Sequence, residues 1–205
     1  MIGAMHFRCW LSCSLLISIK AMKRCFDFLL SSVGLLVAAP IIAVLSIVIR
    51  AETPGPAIFR QRRVGRDGAP FICLKLRTMR QDVDEVPTHQ STRSDLTSVG
   101  RVLRRWKLDE LPQLWNVFVG DMSFVGPRPC LFSQTELIEE RRNLGVLRLR
   151  PGITGLAQVE GVDMSDPIRL AMLDATYIGR ESLYTDILIL VRTISPGALA
   201  DRVGN

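Results

Sequence analysis

Two adjacent carboxylates, Asp109 and Glu110, are the residues of this sequence best suited to chemistry. They stand between apolar residues in a segment from Lys107 to Pro129. Neighbouring carboxylates repel each other, so they are tolerated mainly where a metal ion or a helix N-terminus offsets their charge. An acid pair, a divalent cation and an arginine also neutralise phosphate oxygens in phosphoryl transfer. The residues alone leave two hypotheses open: a phosphoryl-transfer site, or a helix with an acidic first turn.

The composition favours an anionic partner. The chain has 205 residues and a formal net charge of +6, a balance typical of proteins that bind nucleic acid, an anionic bilayer surface or a phosphorylated substrate. The few aromatic residues are not interleaved with basic ones as a base-stacking surface needs, so we do not expect nucleic acid. The five cysteines have no zinc spacing, and we interpret them as reduced thiols that face the cytosol.

A long apolar stretch, from Phe26 to Ile49, is the main membrane segment. It is long enough to cross a bilayer and contains one charged residue, Asp27. Pro40 lies in its interior, where a proline removes a backbone hydrogen bond and kinks a helix. Basic residues flank both ends, and basic flanks mark the cytoplasmic face. Two topologies therefore remain open: a helix that crosses the membrane, and a re-entrant helix that bends at Pro40.

The remaining patterns divide the chain into an N-terminal extension at 1–21, a membrane helix at 22–50 and a catalytic domain at 51–205. The extension holds an apolar run that is too short to cross a bilayer and lacks a clear cleavage site. Within the domain, residues 57–62 and 71–78 alternate around a glycine-bearing turn, which predicts a β-hairpin.

Four helices and a loop are predicted after the hairpin. Residues 81–95 are polar and without period, which predicts a mobile loop. Residues 96–106 form a basic amphipathic pattern that fits either a membrane surface or a core helix with a solvated basic face. Charged residues at 136–142 predict an exposed helix. Two closing helices are predicted at 166–177 and 183–194, and the second is apolar on all sides and therefore buried or interfacial.

A glycine-rich stretch at 151–156 follows Arg150. Glycine permits close backbone approach, and exposed N–H groups can bind phosphate oxygens, although most such stretches are only turns.

Taken in order, these elements resemble the bacterial sugar transferase family, the monotopic phosphoglycosyl transferases that begin polyprenol-diphosphate-linked glycan assembly. The resemblance covers residues 22–194. Its motifs are KRCFD at 23–27, TPGP at 53–56, KLRTM at 75–79, LDELPQL at 108–114, GDMSFVGPRP at 120–129 and RPGITGLAQ at 150–158.

The resemblance implies a mostly helical α/β fold. A re-entrant membrane helix, a small β-hairpin and amphipathic interfacial helices would surround one compact catalytic domain, here in a minimal catalytic form. It implies transfer of a sugar 1-phosphate from a UDP-sugar to a membrane polyprenol phosphate, with release of UMP, an aspartyl-phosphosugar intermediate and Mg²⁺. The enzyme would lie in the lipid of the bacterial inner membrane with its catalytic domain on the cytoplasmic face. A homodimer is left open.

The motifs also assign the site residues. Asp109 matches the nucleophile and Glu110 matches the acid beside the metal, so both are expected to hold Mg²⁺. Arg128, between two prolines, and Arg150, beside the glycine stretch, are expected to neutralise the donor diphosphate. The remaining substrate-binding candidates, for the polyprenol phosphate in the first two cases, are Lys75, Arg77 and Gln113.

The chain departs from the family pattern at two positions. Ala39 stands before Pro40 where the family usually has serine, and Val162 stands where many members have an arginine that contacts phosphate. Two rival functions remain open at this point: a non-enzymatic membrane scaffold for glycan enzymes, and a Mg²⁺-dependent hydrolase of nucleotide-sugars that uses the same acid pair.

Overall fold

The structure is a computed structural model that describes residues 2–80 and 96–194, and the side chains of 20–80 and 96–193. The predicted mobile loop at 81–95 lies outside these residues. The helices are α1 (Ile2–Glu52), α2 (Ser98–Arg105), α3 (Gln113–Val119), α4 (Thr135–Asn143), α5 (Leu156–Val159), α6 (Pro167–Tyr177) and α7 (Leu183–Ile194). The strands are β1 (Ile58–Val64), β2 (Pro70–Leu76), β3 (Ser123–Val125) and β4 (Gly152–Thr154). One-turn 3₁₀ segments occupy Arg66–Gly68, Leu108–Glu110 and Val146–Arg148.

Helix α1 contains the predicted membrane segment. Its 33-residue part Lys20–Glu52 is long and apolar enough to cross a membrane. Large apolar side chains cover its outer surface, with Leu36 79% exposed. The helix continues through Pro40, and residues 2–21 continue it at the other end. The mostly helical fold is thus confirmed, while the bend at Pro40 stays a prediction.

Both ends of this membrane segment contact the rest of the chain. Near the start, the ring of Phe28 stacks on Phe118 with centroids 5.0 Å apart. Near the end, Ile49 is buried with Leu76 and Leu103. The Glu52 carboxylate then accepts hydrogen bonds from the first backbone N–H groups of α2. The membrane segment is therefore joined to the domain before and after its exposed apolar surface.

The predicted hairpin is confirmed, with β1 and β2 antiparallel and Ile58 opposite Leu76. Its turn places Asp67 at φ 56° and Gly68 at φ 79°, the left-handed region in which glycine is unstrained. The Asn116 side chain fixes α3 to this hairpin, because it accepts from the N–H of Leu74 at 3.0 Å and donates to Ile72 O at 2.7 Å.

The glycines after β3 and within β4 serve close packing. The two strands are parallel, and a Cβ on Gly152 would lie 2.2 Å from the nitrogen of Gly126. The N–H of Gly152 donates to Pro127 O at 2.9 Å, and that of Gly126 donates to Thr154 O at 2.9 Å. These two N–H groups are therefore engaged within the protein and not free for phosphate.

The prediction of an exposed helix at 136–142 is correct for one face and wrong for the other. Helix α4 buries Leu137 and Arg141, and Arg141 forms an ion pair with Asp174 of α6. The sequence does not reveal this buried face, because nothing in a run of charged residues distinguishes an arginine that will be buried from one that will be exposed. The side chains that do point outward include Glu136, Glu139 and Arg142.

The apolar faces of α2 and α7 are divided between the core and the surface. In α2, Leu103 is 1% exposed whereas Val102 is 55% exposed, and Trp106 just beyond it is 62% exposed. In α7, Ile189 is buried, and the outer face is lined by Tyr184, Ile187, Leu188 and Val191. These outer faces are compatible with a bilayer surface, and their interfacial placement stays a prediction.

Candidate active site

A tight connection between α2 and α3 presents the acid pair. Lys107, two residues after the end of α2, has the left-handed conformation, at φ 54°. The next residues form the one-turn segment Leu108–Glu110, in which the N–H of Glu110 donates to Lys107 O at 3.3 Å. Pro112 then stands immediately before α3, and its fixed φ suits the entry to a helix. The chain thus turns sharply on either side of the two carboxylates.

Glu110 is the point where three elements meet. Its Oε1 lies 3.3 Å from Nζ of Lys75, which comes from β2, and 3.1 Å from Nη2 of Arg128, which follows β3. The Glu110 side chain is 16% exposed. Burial alone would raise the pKa of this carboxyl, but the charges of Arg128 and Lys75 outweigh burial and lower it to about 2. Glu110 is therefore a permanent anion at neutral pH.

Asp109 has the opposite electrostatic environment. It is 8% exposed, and burial, followed by the charge of Glu110, raises the pKa of its carboxyl. Lys75 and Arg104 oppose this rise only in part. Among the residues that the structure describes, Asp109 forms no ion pair. A more basic carboxylate is a better nucleophile, so this environment favours Asp109 over Glu110 for that predicted role.

The structure brings together only some of the predicted site residues. Lys75 and Arg128 lie at the acid pair, and Gln113 is buried in the first turn of α3 just after it. Arg77 instead donates to Thr53 O at 2.8 Å and Pro54 O at 2.7 Å, beyond the end of α1. Arg150 donates from Nε to Gly120 O at 3.0 Å. Phosphate binding by Arg77 and Arg150 stays a prediction, and these contacts give both residues a structural role.

The donor set at the acid pair fits Mg²⁺. In the described part of the chain, no group of three or more His, Cys, Asp or Glu side chains converges as a metal cage. Mg²⁺ does not require one, because it keeps several waters and is held by one or two carboxylates together with substrate phosphates. Asp109 and Glu110 supply two such carboxylates. A bound cation would also relieve the electrostatic repulsion between them.

Sequence reasoning missed several residues that complete the site. The charges of Arg104 and Lys107 act on the acid pair, and Arg63 and Arg141 hold the backbone beside Arg128. Arg104 is one helical turn before the pair on the predicted basic face, so proximity along the chain was an available signal. For Arg63 and Arg141 the sequence contained no such signal, because their contacts join residues far apart in sequence.

Comparison with known proteins shows which family the chain resembles. Residues 18–198 match the model of the bacterial sugar transferase family. The chain is 40% identical over 187 residues to UDP-glucose:undecaprenyl-phosphate glucose-1-phosphate transferase of Caulobacter vibrioides, which covers 87% of this chain and 70% of the relative. It is 38% identical to exopolysaccharide production protein ExoY of Rhizobium meliloti, over 84% of this chain and 83% of the relative.

A Bacillus subtilis protein described as a putative undecaprenyl-phosphate N-acetylgalactosaminyl 1-phosphate transferase is 43% identical, over 68% of this chain and 83% of its own length. This chain belongs to the bacterial sugar transferase family, as the motifs predicted. The expectation of an enzyme of the phosphoglycosyl transferase class is thereby confirmed.

Proposed function

We propose that the protein transfers a sugar 1-phosphate from a UDP-sugar to undecaprenyl phosphate and releases UMP, as the first membrane step of exopolysaccharide or related glycan assembly. The observation that carries the proposal is the contrast within the acid pair. Glu110 is held ionised by Lys75 and Arg128, whereas burial makes Asp109 the more basic carboxylate. The activities named for the relatives agree with this chemistry.

In the proposed reaction, an oxygen of Asp109 attacks the β-phosphorus of the UDP-sugar. The bond from that phosphorus to the bridging oxygen breaks, and UMP leaves with the electron pair. The phosphosugar remains on Asp109 as an acyl phosphate until an oxygen of undecaprenyl phosphate attacks the same phosphorus. Asp109 is then released unchanged, so the two steps share one covalent intermediate and predict ping-pong kinetics.

The cations beside Glu110 suit the binding of a diphosphate. Lys75 and Arg128 already converge on one carboxylate oxygen, and the same donors can bind phosphate oxygens by charge-assisted hydrogen bonds. Asp109 and Glu110 are the residues that would hold Mg²⁺, which supplies neutralisation of the phosphate charge when it is bound. Gln113, buried in the first turn of α3 beside the acid pair, is proposed as a further substrate contact.

The contacts of α1 support a re-entrant topology with both ends on the cytoplasmic side. Its 33-residue apolar part would be about 50 Å long if straight, more than the hydrocarbon core of a bilayer. A membrane-crossing helix would separate Phe28 from Ile49 by most of the bilayer, yet both contact the same domain. We expect labelling of a cysteine introduced at Lys20 from the cytoplasmic side only. Labelling from the periplasm would contradict this topology.

Steady-state UMP release separates the proposal from the two rival functions. Purified protein is mixed with Mg²⁺ and each of a panel of UDP-sugars, with and without undecaprenyl phosphate. We expect continuous UMP release with one UDP-sugar, and only when the lipid is present. A hydrolase would release UMP without lipid, and a scaffold would release none with any donor.

A further inference from the structure

Two buried arginines hold the segment that carries Arg128. From β1, Nη1 of Arg63 donates to Pro129 O at 2.7 Å. From α4, Nη1 of Arg141 donates to Arg128 O at 2.9 Å. The two guanidinium groups therefore bind consecutive carbonyls from two different elements.

Each arginine is itself fixed by a buried partner. Arg141 donates from Nε and Nη2 to one oxygen of Asp174, at 3.0 and 2.6 Å, and both side chains are 3% exposed. Arg63 donates from Nε and Nη2 to Oε1 of Gln61, at 2.9 and 2.6 Å. Burying charges is costly, and the attraction within a buried pair offsets that cost only when its geometry is good and its remaining donors are satisfied. Such a pair is therefore weak evidence of added stability.

The two prolines of the segment explain why carbonyls are the groups that are held. Pro127 and Pro129 have no N–H, so the backbone on both sides of Arg128 lacks a donor to anchor it. Every carbonyl from 127 to 130 accepts a hydrogen bond instead. The donors, in order, are the N–H of Gly152, Arg141, Arg63 and the N–H of Val64.

We propose that Arg63 and Arg141 are positioning residues that fix the backbone of Arg128 and so direct its guanidinium to the acid pair. The proposal rests on the proposed function. Arg128 reaches Glu110 at 3.1 Å from a segment with no N–H anchors of its own at 127 and 129. Asp174 and Gln61 hold the two arginines in the orientation that this requires.

A double-mutant cycle tests whether Arg141 acts through Arg128. Arg141→Lys keeps a positive charge beside Asp174 but lacks the planar fork that contacts Asp174 and the carbonyl together. We expect kcat/KM for UMP release to fall about tenfold or more, since small misplacements of a positioning group are costly. In an Arg128→Ala background, the same change should lower kcat/KM by less than about twofold. An equal fall in both backgrounds would overturn the proposal.

A second measurement is independent of catalysis. Hydrogen exchange of a peptide covering residues 126–132 should become faster in Arg141→Lys, because the segment has lost an anchor. The matched control is Arg142→Lys, on the exposed face of the same helix, which should change neither exchange nor kcat/KM. Unchanged exchange in Arg141→Lys would also overturn the proposal.

These measurements still decide the proposal in two further cases. If Arg141→Lys does not fold, Arg63→Lys takes its place in the same cycle and the same exchange measurement, with the same deciding results. If the wild-type protein releases no UMP with any donor, the proposed function fails, and faster exchange at 126–132 still decides whether Arg141 anchors the Arg128 segment.

Discussion

The two ends of α3 lie beside charged side chains of opposite sign. Before its N-terminus lie the carboxylates of Asp109 and Glu110. At its C-terminus, Arg24 donates to Val117 O at 2.6 Å and to Phe118 O at 2.7 Å, and Arg150 donates to Gly120 O. Acids before a helix and cations after it both complement the helix dipole. The two ends nevertheless differ in how far these charges are compensated.

The C-terminal end of α3 is attached to α1, and we call this contact the tether. The guanidinium of Arg24 belongs to α1 and binds carbonyls that a helix end leaves without partners. Close to it, Lys23 forms an ion pair with Asp186 of α7 and donates to Val125 O at 3.1 Å. Tyr177 donates to the same Asp186, and burial, followed by that carboxylate, raises the pKa of the tyrosine. The cations at this end are thus engaged by backbone carbonyls or, for Lys23, by the carboxylate of Asp186.

At the N-terminal end of α3, the charge of the acid pair is only partly compensated. Asp109 is buried, carries a raised pKa and forms no ion pair among the described residues, while its neighbour Glu110 receives both cations. Structural anchors satisfy their charges internally, whereas a site for a charged substrate keeps one group in need of a partner. This difference between the two ends of α3 supports our proposal that one end serves attachment and the other serves chemistry.

Of the changes at the two ends of α3, removing the carboxylate of Asp109 should have the largest effect on activity. Asp109→Asn is nearly isosteric and should fold, but an amide is a far weaker nucleophile, so turnover should fall by at least about 1000-fold. Intact-protein mass spectrometry after mixing with UDP-sugar and Mg²⁺, without lipid, should show a sugar-phosphate adduct on wild type and none on the variant. An equal adduct on Asp109→Asn would place the nucleophile elsewhere, with Glu110 as the first candidate.

Neutralising Glu110 tests the metal at the same end of α3. Glu110→Gln keeps the shape and removes the charge that Lys75, Arg128 and the proposed cation share, so kcat should fall about 100-fold. Chelation should abolish wild-type turnover, and added Mg²⁺ should restore it. Full wild-type activity in EDTA would remove Mg²⁺ from the proposed site.

Breaking the tether should instead cost stability. Arg24→Ala removes two hydrogen bonds from a charged donor to carbonyls of α3, and the free energy of unfolding in detergent should fall by about 1–3 kcal/mol. The kcat of the folded fraction should stay within about threefold of wild type. Arg101→Ala, at an exposed position of α2, is the control and should change neither quantity. A loss of kcat with unchanged stability would show that the two ends of α3 do not have separate roles.

Local patterns predicted much of the fold. The alternation around the glycine turn gave the hairpin, and the closing helices α6 and α7 were placed within a residue. The buried face of α4 was missed because Arg141 finds Asp174 33 residues away, which no local period encodes. The division of the apolar faces of α2 and α7 was missed for the same reason, since burial depends on what packs against them.

The site was predictable where one motif contained it. Asp109 and Glu110 are adjacent, so the sequence alone identified them as an unusual pair. Lys75 and Arg128 could be grouped with them as site candidates only through the family pattern, because their ion pairs to Glu110 cross 35 and 18 residues. The sequence could not show that backbone carbonyls would engage Arg77 and Arg150. Every residue has a backbone carbonyl, so the sequence does not indicate which carbonyls these arginines reach.

The pH dependence of stability should give the smallest effect and the sharpest comparison. Glu110 has its pKa lowered to about 2 in the folded protein, so its stabilising contribution is complete above its ordinary value of 4.5 and is lost as pH falls toward 2. The stability advantage of wild type over Glu110→Gln should therefore shrink across this window, by about 1 kcal/mol after allowance for solvent screening.

Asp109 should act with the opposite sign. Because its folded pKa is raised above the ordinary 3.8, folding favours its protonated form, and acidification first relieves the repulsion between the two acids. The stability of wild type should thus rise slightly before it falls, and Asp109→Asn should lack the rise. The cost of Arg24→Ala should stay constant over the same range, since the carbonyls that it binds do not titrate. Thermal unfolding of the four proteins between pH 7 and about pH 2 measures all these changes. A pH-dependent cost of Arg24→Ala would mean that the tether and the acid pair are coupled through α3.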